Sequence, residues 1–125
     1  MILLLDAHAV VWWLEDASTL QPAARAAIAN PANAVLVSAA TIWELGIKRA
    51  IGKLDMTADL PETVDRAGFT AVPITGIDAW AAAALPNHHH DPFDRMLVAQ
   101  ASRLDAVVVS RDPLLAAYDV QILRA

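Results

Sequence analysis

The sequence predicts an α/β fold built on a parallel sheet, and three observations carry that expectation. Short runs that are apolar almost throughout recur at Ile2–Leu5, Ala34–Ser38 and Ala106–Ser110. A strand buried on both faces has no polar side, so it reads as a continuous apolar run and not as an alternation. Segments with helical spacing separate these runs, as crossover connections between parallel strands require. Lastly, carboxylates follow the runs closely: Asp6 directly after the first and Asp112 two residues past the third. In open parallel sheets ligands bind beyond the carboxyl ends of the strands, so these positions are where chemistry is expected.

The elements follow in order. Ile2–Leu5 is a buried strand ending at Asp6, and residues 7–15 are helical until Asp16-Ala17-Ser18 breaks the pattern. Pro22 suits the first turn of a second helix running to about Ala29, and Asn30-Pro31 marks a turn. After the Ala34–Ser38 strand, Trp43, Ile47, Ala50, Ile51 and Leu54 are spaced for one apolar helix face. Residues 59–67 form a helix with Gly68 as its C-cap, and Thr70–Ile74 is a short strand. An alanine-rich helix spans 76–85 and stops before Pro86. The polar loop Asn87-His88-His89-His90-Asp91 leads to Pro92, from which Phe93, Leu97, Ala101 and Leu104 mark another apolar face. Ala106–Ser110 is a strand, Asp112-Pro113 opens a short helix, and Val120–Leu123 is a last strand.

Length and composition bound the rest. A chain of 125 residues, 57% hydrophobic, suits one domain, taken as residues 1–125, and can bury a sizeable core. No apolar run approaches the ~20 residues of a spanning helix, and Met1–Leu5 lacks a basic region before it and a cleavage site after it. Cysteine is absent, so neither disulfides nor a thiolate metal site is possible. A cytoplasmic protein without membrane association is expected. The net charge of −5 argues against broad, non-specific nucleic-acid binding. It leaves open an enzyme in which a cation, held by acids, meets the phosphate.

Each acid has an ordinary explanation. Asp6 and Asp112 suit helix N-caps, Thr41-Ile42-Trp43-Glu44 matches a capping box, and Glu44 with Lys48 forms an i, i+4 pair. Asp91 suits the cap of the helix at Pro92, with Asp94 in its first turn. In a parallel sheet, however, these helix N-termini share one edge. Carboxylates ~5 Å apart at an effective dielectric of ~20 repel by roughly 3 kcal/mol per pair. Hard divalent cations with oxygen ligands relieve that repulsion, which points to Mg²⁺ or Mn²⁺.

His88, His89 and His90 are adjacent on a loop, point in different directions and are poorly placed to ligate one ion together, so their role stays open. Trp12, Trp13, Trp43 and Trp80 suit a core or a dimer interface better than base stacking.

The ordered set of Asp6, the Ser38-Ala39-Ala40-Thr41-Ile42-Trp43-Glu44 segment, Asp91-Pro92-Phe93-Asp94-Arg95 with the apolar helix after it, and Val109-Ser110-Arg111-Asp112 resembles the PIN-domain ribonucleases. Among these it is most similar to VapC-like toxins of type II toxin–antitoxin pairs. The resemblance runs over essentially the whole chain. It implies a PIN-like three-layer fold, with about five parallel strands and helices on both faces. It also implies a Mg²⁺- or Mn²⁺-dependent endoribonuclease, a homodimer and a cognate antitoxin. The family's acidic cluster falls on Asp6, Glu44, Asp94 and Asp112, as metal ligands and catalytic residues. Ser110 stands where relatives often carry Thr, so a hydroxyl is kept.

The expected chemistry is hydrolysis of an RNA phosphodiester by a metal-activated water. Arg95 and Lys48, with Arg49 and Arg111 nearby in sequence, are the candidates for contacting flanking phosphates. Two alternatives belong to other classes. One is a metal-dependent phosphatase with Asp6 as nucleophile, although that chemistry pairs the nucleophile with an acid two residues on and His8 stands there. The other is a non-catalytic receiver-like module that binds Mg²⁺, which needs a phosphoacceptor where Ser38 and Ala39 lie.

Overall fold

The computed structural model describes residues 1–125. The first strand, β1 (Ile2–Leu5), leads into α1 (Ala7–Leu14) and α2 (Pro22–Ala29). Next come β2 (Ala34–Ser38), α3 (Ala39–Ala50), α4 (Leu60–Arg66) and β3 (Thr70–Val72). The chain closes with α5 (Gly76–Ala84), α6 (Pro92–Leu104), β4 (Val107–Ser110), a 3₁₀ turn (Pro113–Ala117) and β5 (Ile122–Arg124).

All five strands are parallel, in the order β3-β2-β1-β4-β5. Leu5 sits beside Val37 on one side and Val109 on the other, so β1 is the centre of the sheet. Alternation along the strands splits the core between two faces. Leu3, Leu5, Val35, Val37 and Val109 join Val10, Ala24, Ile28, Leu45 and Val64, which covers one face with α1 to α4. Leu4 and Val108 join Leu97, Val98, Ala101, Leu115 and Tyr118, which places α6 and the 3₁₀ turn on the other. Helix α5 then packs against α6. The result is the expected three-layer arrangement. No helix is long and apolar enough to cross a membrane.

Four local differences from expectation stand out, three of them with plain causes. The apolar spacing of α3 suggests continuation to Leu54, but the helix stops at Ala50. Gly52 takes φ +77°, and the N–H groups of Lys53 and Leu54 both return to the Lys48 carbonyl. Strand β3 ends at Val72 because Pro73 has no N–H to give the ladder. Strand β5 lies slightly later than expected, at Ile122–Arg124. The capping box at Thr41–Glu44 does not form. Helix α3 begins immediately after β2, so Ser38 is the N-cap and accepts from Ala40 N–H at 3.0 Å. A capping box does form at Thr75 and Asp78 on α5.

Candidate active site

Successive strands are added outward from β1 to β2 and β3, after which the chain crosses to β4 on the opposite side of β1. The carboxyl ends of β1 and β4 therefore flank a topological switch point, where open α/β sheets leave a crevice. A cleft of about 440 Å³ lies there, lined by Asp6, Glu44, Lys48, His89, Asp91, Asp94 and Asp112 among others.

Asp6 follows β1 and caps α1, its Oδ1 accepting from Ala9 N–H at 2.8 Å. It is buried, and burial raises its carboxyl above the usual range, only partly offset by hydrogen bonds from Ser110 and Ala9. Ser110 is buried at the end of β4; its hydroxyl bonds the Asp6 carboxylate and accepts from Asp112 N–H at 3.1 Å. The hydroxyl at this position thus ties one strand-end acid to the other.

Asp94 sits in the first turn of α6, whose N-cap is Asp91, accepting from Phe93 N–H at 2.8 Å. Burial, then the negative charges of Asp91, Glu44 and Asp6, push the Asp94 carboxyl up to about 7 against the opposing pull of His89. Glu44 projects from α3 and pairs with Lys48 at 3.1 Å. Asp112 caps the 3₁₀ turn through Leu114 N–H. Burial pushes its carboxyl up, but Leu114 N–H, His89 and His8 together outweigh this and hold it low.

One of the three adjacent histidines enters the cleft. His89 is 9% exposed, and its Nε2 lies 2.7 Å from Asp112 Oδ2 and 3.1 Å from Asp94 Oδ2. Its Nδ1 accepts from Asp91 N–H at 3.1 Å, so the proton is on Nε2, facing the two carboxylates. The loop is fixed by Tyr118, whose hydroxyl accepts from His89 N–H and donates to the Pro86 carbonyl. Local spacing could not single out His89 from its neighbours; the contacts that select it come from residue 112 and residue 118.

Arg95, a candidate for contacting phosphate, does not line the cleft. Its guanidinium donates to the carbonyls of Ala82, Ala83, Leu85, Pro86 and His89 and to the Tyr118 hydroxyl. These carbonyls lie at the end of α5 and in the loop after it, so Arg95 shapes the loop that carries His89. Lys48 and Arg111 do line the cleft. Arg111 lies over the Trp12 ring, 4.4 Å from its centroid. Trp12 therefore belongs to the cleft wall, whereas Trp13 turns toward Phe69. Trp43 and Trp80 are 64% and 83% exposed, not core.

Two alternatives lose ground on this geometry. A phosphatase nucleophile must reach its substrate, but Asp6 is buried and bonded to Ala9 and Ser110. The receiver-like position, Ser38, is fully buried and occupied as a cap.

The carboxylates fit a hard divalent cation. Ligand atoms of His89, Asp94 and Asp112 lie within 4.8 Å of one another, but both His89 ring nitrogens are engaged, Nδ1 by Asp91 N–H and Nε2 by the two acids, so the oxygens and not the imidazole are the donors. No set of three that includes Asp6 or Glu44 closes to that distance, although both line the same cleft. The Asp94 carboxyl is raised first by burial and second by the neighbouring acids, and such an ion would relieve that like-charge crowding.

Comparison with known proteins agrees with the architecture. The sequence pattern of the PIN domain family matches residues 3–121. No curated protein sequence matches the chain. Among solved structures, VapBC2 from Rickettsia felis, bound to a promoter DNA fragment, shares the fold with TM-score 0.73, 13% identity and 98% coverage of each chain. A toxin–antitoxin complex from Klebsiella pneumoniae gives 0.65 at 16% identity, covering 97% of this chain and 95% of that one. VapBC-1 from nontypeable Haemophilus influenzae gives 0.64 at 17% identity, covering 98% and 97%.

Proposed function

The chain belongs to the PIN domain family, and from that premise we propose that it is a Mg²⁺- or Mn²⁺-dependent endoribonuclease and the toxin of a toxin–antitoxin pair. The observation that carries this is the meeting of four carboxylates, Asp6, Glu44, Asp94 and Asp112, in one cleft at the switch point. Parallel topology alone puts helix caps on this edge, but Glu44 and Asp94 are not N-caps, those of α3 and α6 being Ser38 and Asp91, and both still enter the cleft. The resemblance of fold to toxin–antitoxin complexes supports the biological role.

Asp6, Glu44, Asp94 and Asp112 would hold the ion, which when bound supplies a more acidic water and stabilises charge on phosphoryl oxygens. Ser110 orients Asp6 through its hydroxyl and Asp112 through the backbone. His89 holds Asp94 and Asp112 at a fixed spacing. Lys48, which pairs with Glu44 and lines the cleft, would meet a flanking phosphate.

Two protein partners complete the proposal. A homodimer would cover exposed apolar side chains: Trp43, Ile47 and Ile51 at helical spacing on or just beyond α3, and Ile77 with Trp80 on α5. A cognate antitoxin would hold the enzyme inactive by covering the acidic cleft. Such a protein would work in the cytoplasm.

The test is cleavage of RNA by the purified protein with Mg²⁺ or Mn²⁺. EDTA should stop it; full activity in excess chelator would overturn the metal mechanism. For the toxin role, expression of the protein alone should slow bacterial growth, and co-expression of the adjacent gene should restore it. A harmless protein that nevertheless cleaves RNA in vitro would refute that role.

A further inference from the structure

One wall of the cleft is not acidic. His8, Trp12 and Arg111 line it opposite the carboxylates in composition: two aromatic rings and a guanidinium plane. Asp6 starts α1, and His8 and Trp12 follow on that helix with i, i+4 spacing, so they share one face. Their ring centroids are 5.4 Å apart with planes inclined at 36°. Arg111 lies over Trp12 at 4.4 Å. It is held in place: Nε and Nη2 donate to the Ala125 carbonyl at 3.0 and 2.6 Å, and Nη2 also donates to the Thr19 carbonyl. The three planar groups form a run fixed at its Arg111 end. Its other member, His8, is exposed.

We propose that this wall is a seat for one unpaired nucleobase of the RNA, next to the phosphate at the acidic cluster. The proposal rests on the nuclease function above and specifies its substrate as RNA unpaired at that position. Three physical points lead there. A nucleobase is neutral and planar, so it can enter the cleft without adding charge beside the carboxylates. Aromatic and guanidinium faces bind splayed-out bases by stacking, whatever their sequence. A rigidly held Arg111–Trp12 pair loses little side-chain freedom when a base arrives. Helix support and core packing explain the body of Trp12, which also packs against the main core. They do not explain an exposed His8 ring continuing the run at the cleft.

The experiment measures affinity for a short single-stranded RNA with Ca²⁺ in place of Mg²⁺, before any cleavage is detected. Wild type is compared with His8→Ala, His8→Phe and His8→Lys, on oligonucleotides in which each base in turn is removed while the backbone is kept. His8 is exposed, so thermal melting of the variants should match wild type. His8→Ala should weaken binding roughly 5-fold or more, the range for losing one stacked base. His8→Phe should bind as wild type does. Removing one particular base should weaken wild type similarly and cost His8→Ala nothing further. Unchanged affinity in His8→Ala overturns the proposal. So does a loss that His8→Lys restores and that no single base removal reproduces, since that is a phosphate contact. RNA cleavage with Mg²⁺, measured in parallel on the intact oligonucleotide, separates the two ideas. Normal cleavage with an inert His8→Ala removes only the base seat, whereas neither binding nor cleavage by wild type removes the nuclease function as well.

Discussion

His89 Nε2 and Asp112 Oδ2 lie 2.7 Å apart although 23 residues separate them in the chain. The same nitrogen is 3.1 Å from Asp94 Oδ2, so one N–H faces two carboxylates that would otherwise repel. Replacing His89 by Ala should therefore lower the melting temperature of the metal-free protein. It should also enlarge the stabilisation that Mg²⁺ brings, because the ion then relieves a repulsion that nothing else offsets. Melting curves with and without Mg²⁺ check this. A His89→Ala protein whose Mg²⁺ response equals that of wild type would show that the imidazole does not serve the acid cluster.

Asp94 makes the metal-free protein sensitive to pH. Its folded carboxyl titrates at about 7, above its ordinary value of 3.8. Between those values the folded state holds a proton that the unfolded state has released. Its contribution is therefore fully favourable below about pH 4 and is lost as pH rises through about 7. In EDTA, wild type should melt at progressively lower temperature from pH 5 to pH 8. Asp94→Asn should show a shallower fall and be at least as stable at pH 8. Parallel pH dependences for the two proteins would be inconsistent with a crowded, buried Asp94.

Metal linkage tests the same cluster from the other side. Mg²⁺ at ten times its dissociation constant should stabilise wild type by about 1.4 kcal/mol. Asp94→Asn and Glu44→Gln should gain less, and Asp94→Asn should lose cleavage. Were these acids only helix caps, substitution would cost roughly 0.5–2 kcal/mol for Ala and less for Asn, with no specific response to Mg²⁺. Equal Mg²⁺ responses at matched ionic strength in all three proteins would rule out a shared metal site.

Arg95 should behave as a structural residue. Lys at this position cannot reach the several carbonyls that the guanidinium spans, so Arg95→Lys should lose stability by roughly 2–3 kcal/mol. Its RNA affinity, measured below the melting transition, should stay near that of wild type, while Lys48→Ala should bind RNA more weakly. The opposite pattern would restore Arg95 as a phosphate contact.

Asp78 gives a control outside the acidic cleft. Arg103 grips its carboxylate through Nε at 2.5 Å and Nη2 at 3.0 Å, locking α5 to α6. Chiefly through Arg103, and despite burial, the Asp78 carboxyl is held far below the ordinary range. Its stabilisation is present above about pH 4 and is lost as pH falls toward the depressed folded value. Asp78→Asn should be less stable at pH 7 and should lose less on acidification below pH 4. Its Mg²⁺-linked stabilisation should remain. Identical acid unfolding of the two proteins would contradict the lock.

Much of this molecule is legible along the chain because the signals are local. Ile2–Leu5 and Val107–Val109 carry only apolar side chains, as a short strand buried on both faces does. Asp6 and Asp112 stand just past those strands, and Asp91 and Asp94 open α6 beside Pro92, so each can be placed at a helix start from composition and spacing alone. Parallel topology then puts those starts on one edge. What the chain does not encode locally is which side chains cross between elements. The tertiary structure turns His89, and not His88 or His90, toward Asp94 and Asp112, because Tyr118 and Arg95 hold the loop from outside it. It spends Arg95 on carbonyls although its position beside Asp94 suggests phosphate, and it brings Arg111 and Trp12 together across about a hundred residues of chain. Hydrogen-bond geometry and stacking depend on position in space, and only the assembled sheet brings the ends of β1 and β4 side by side.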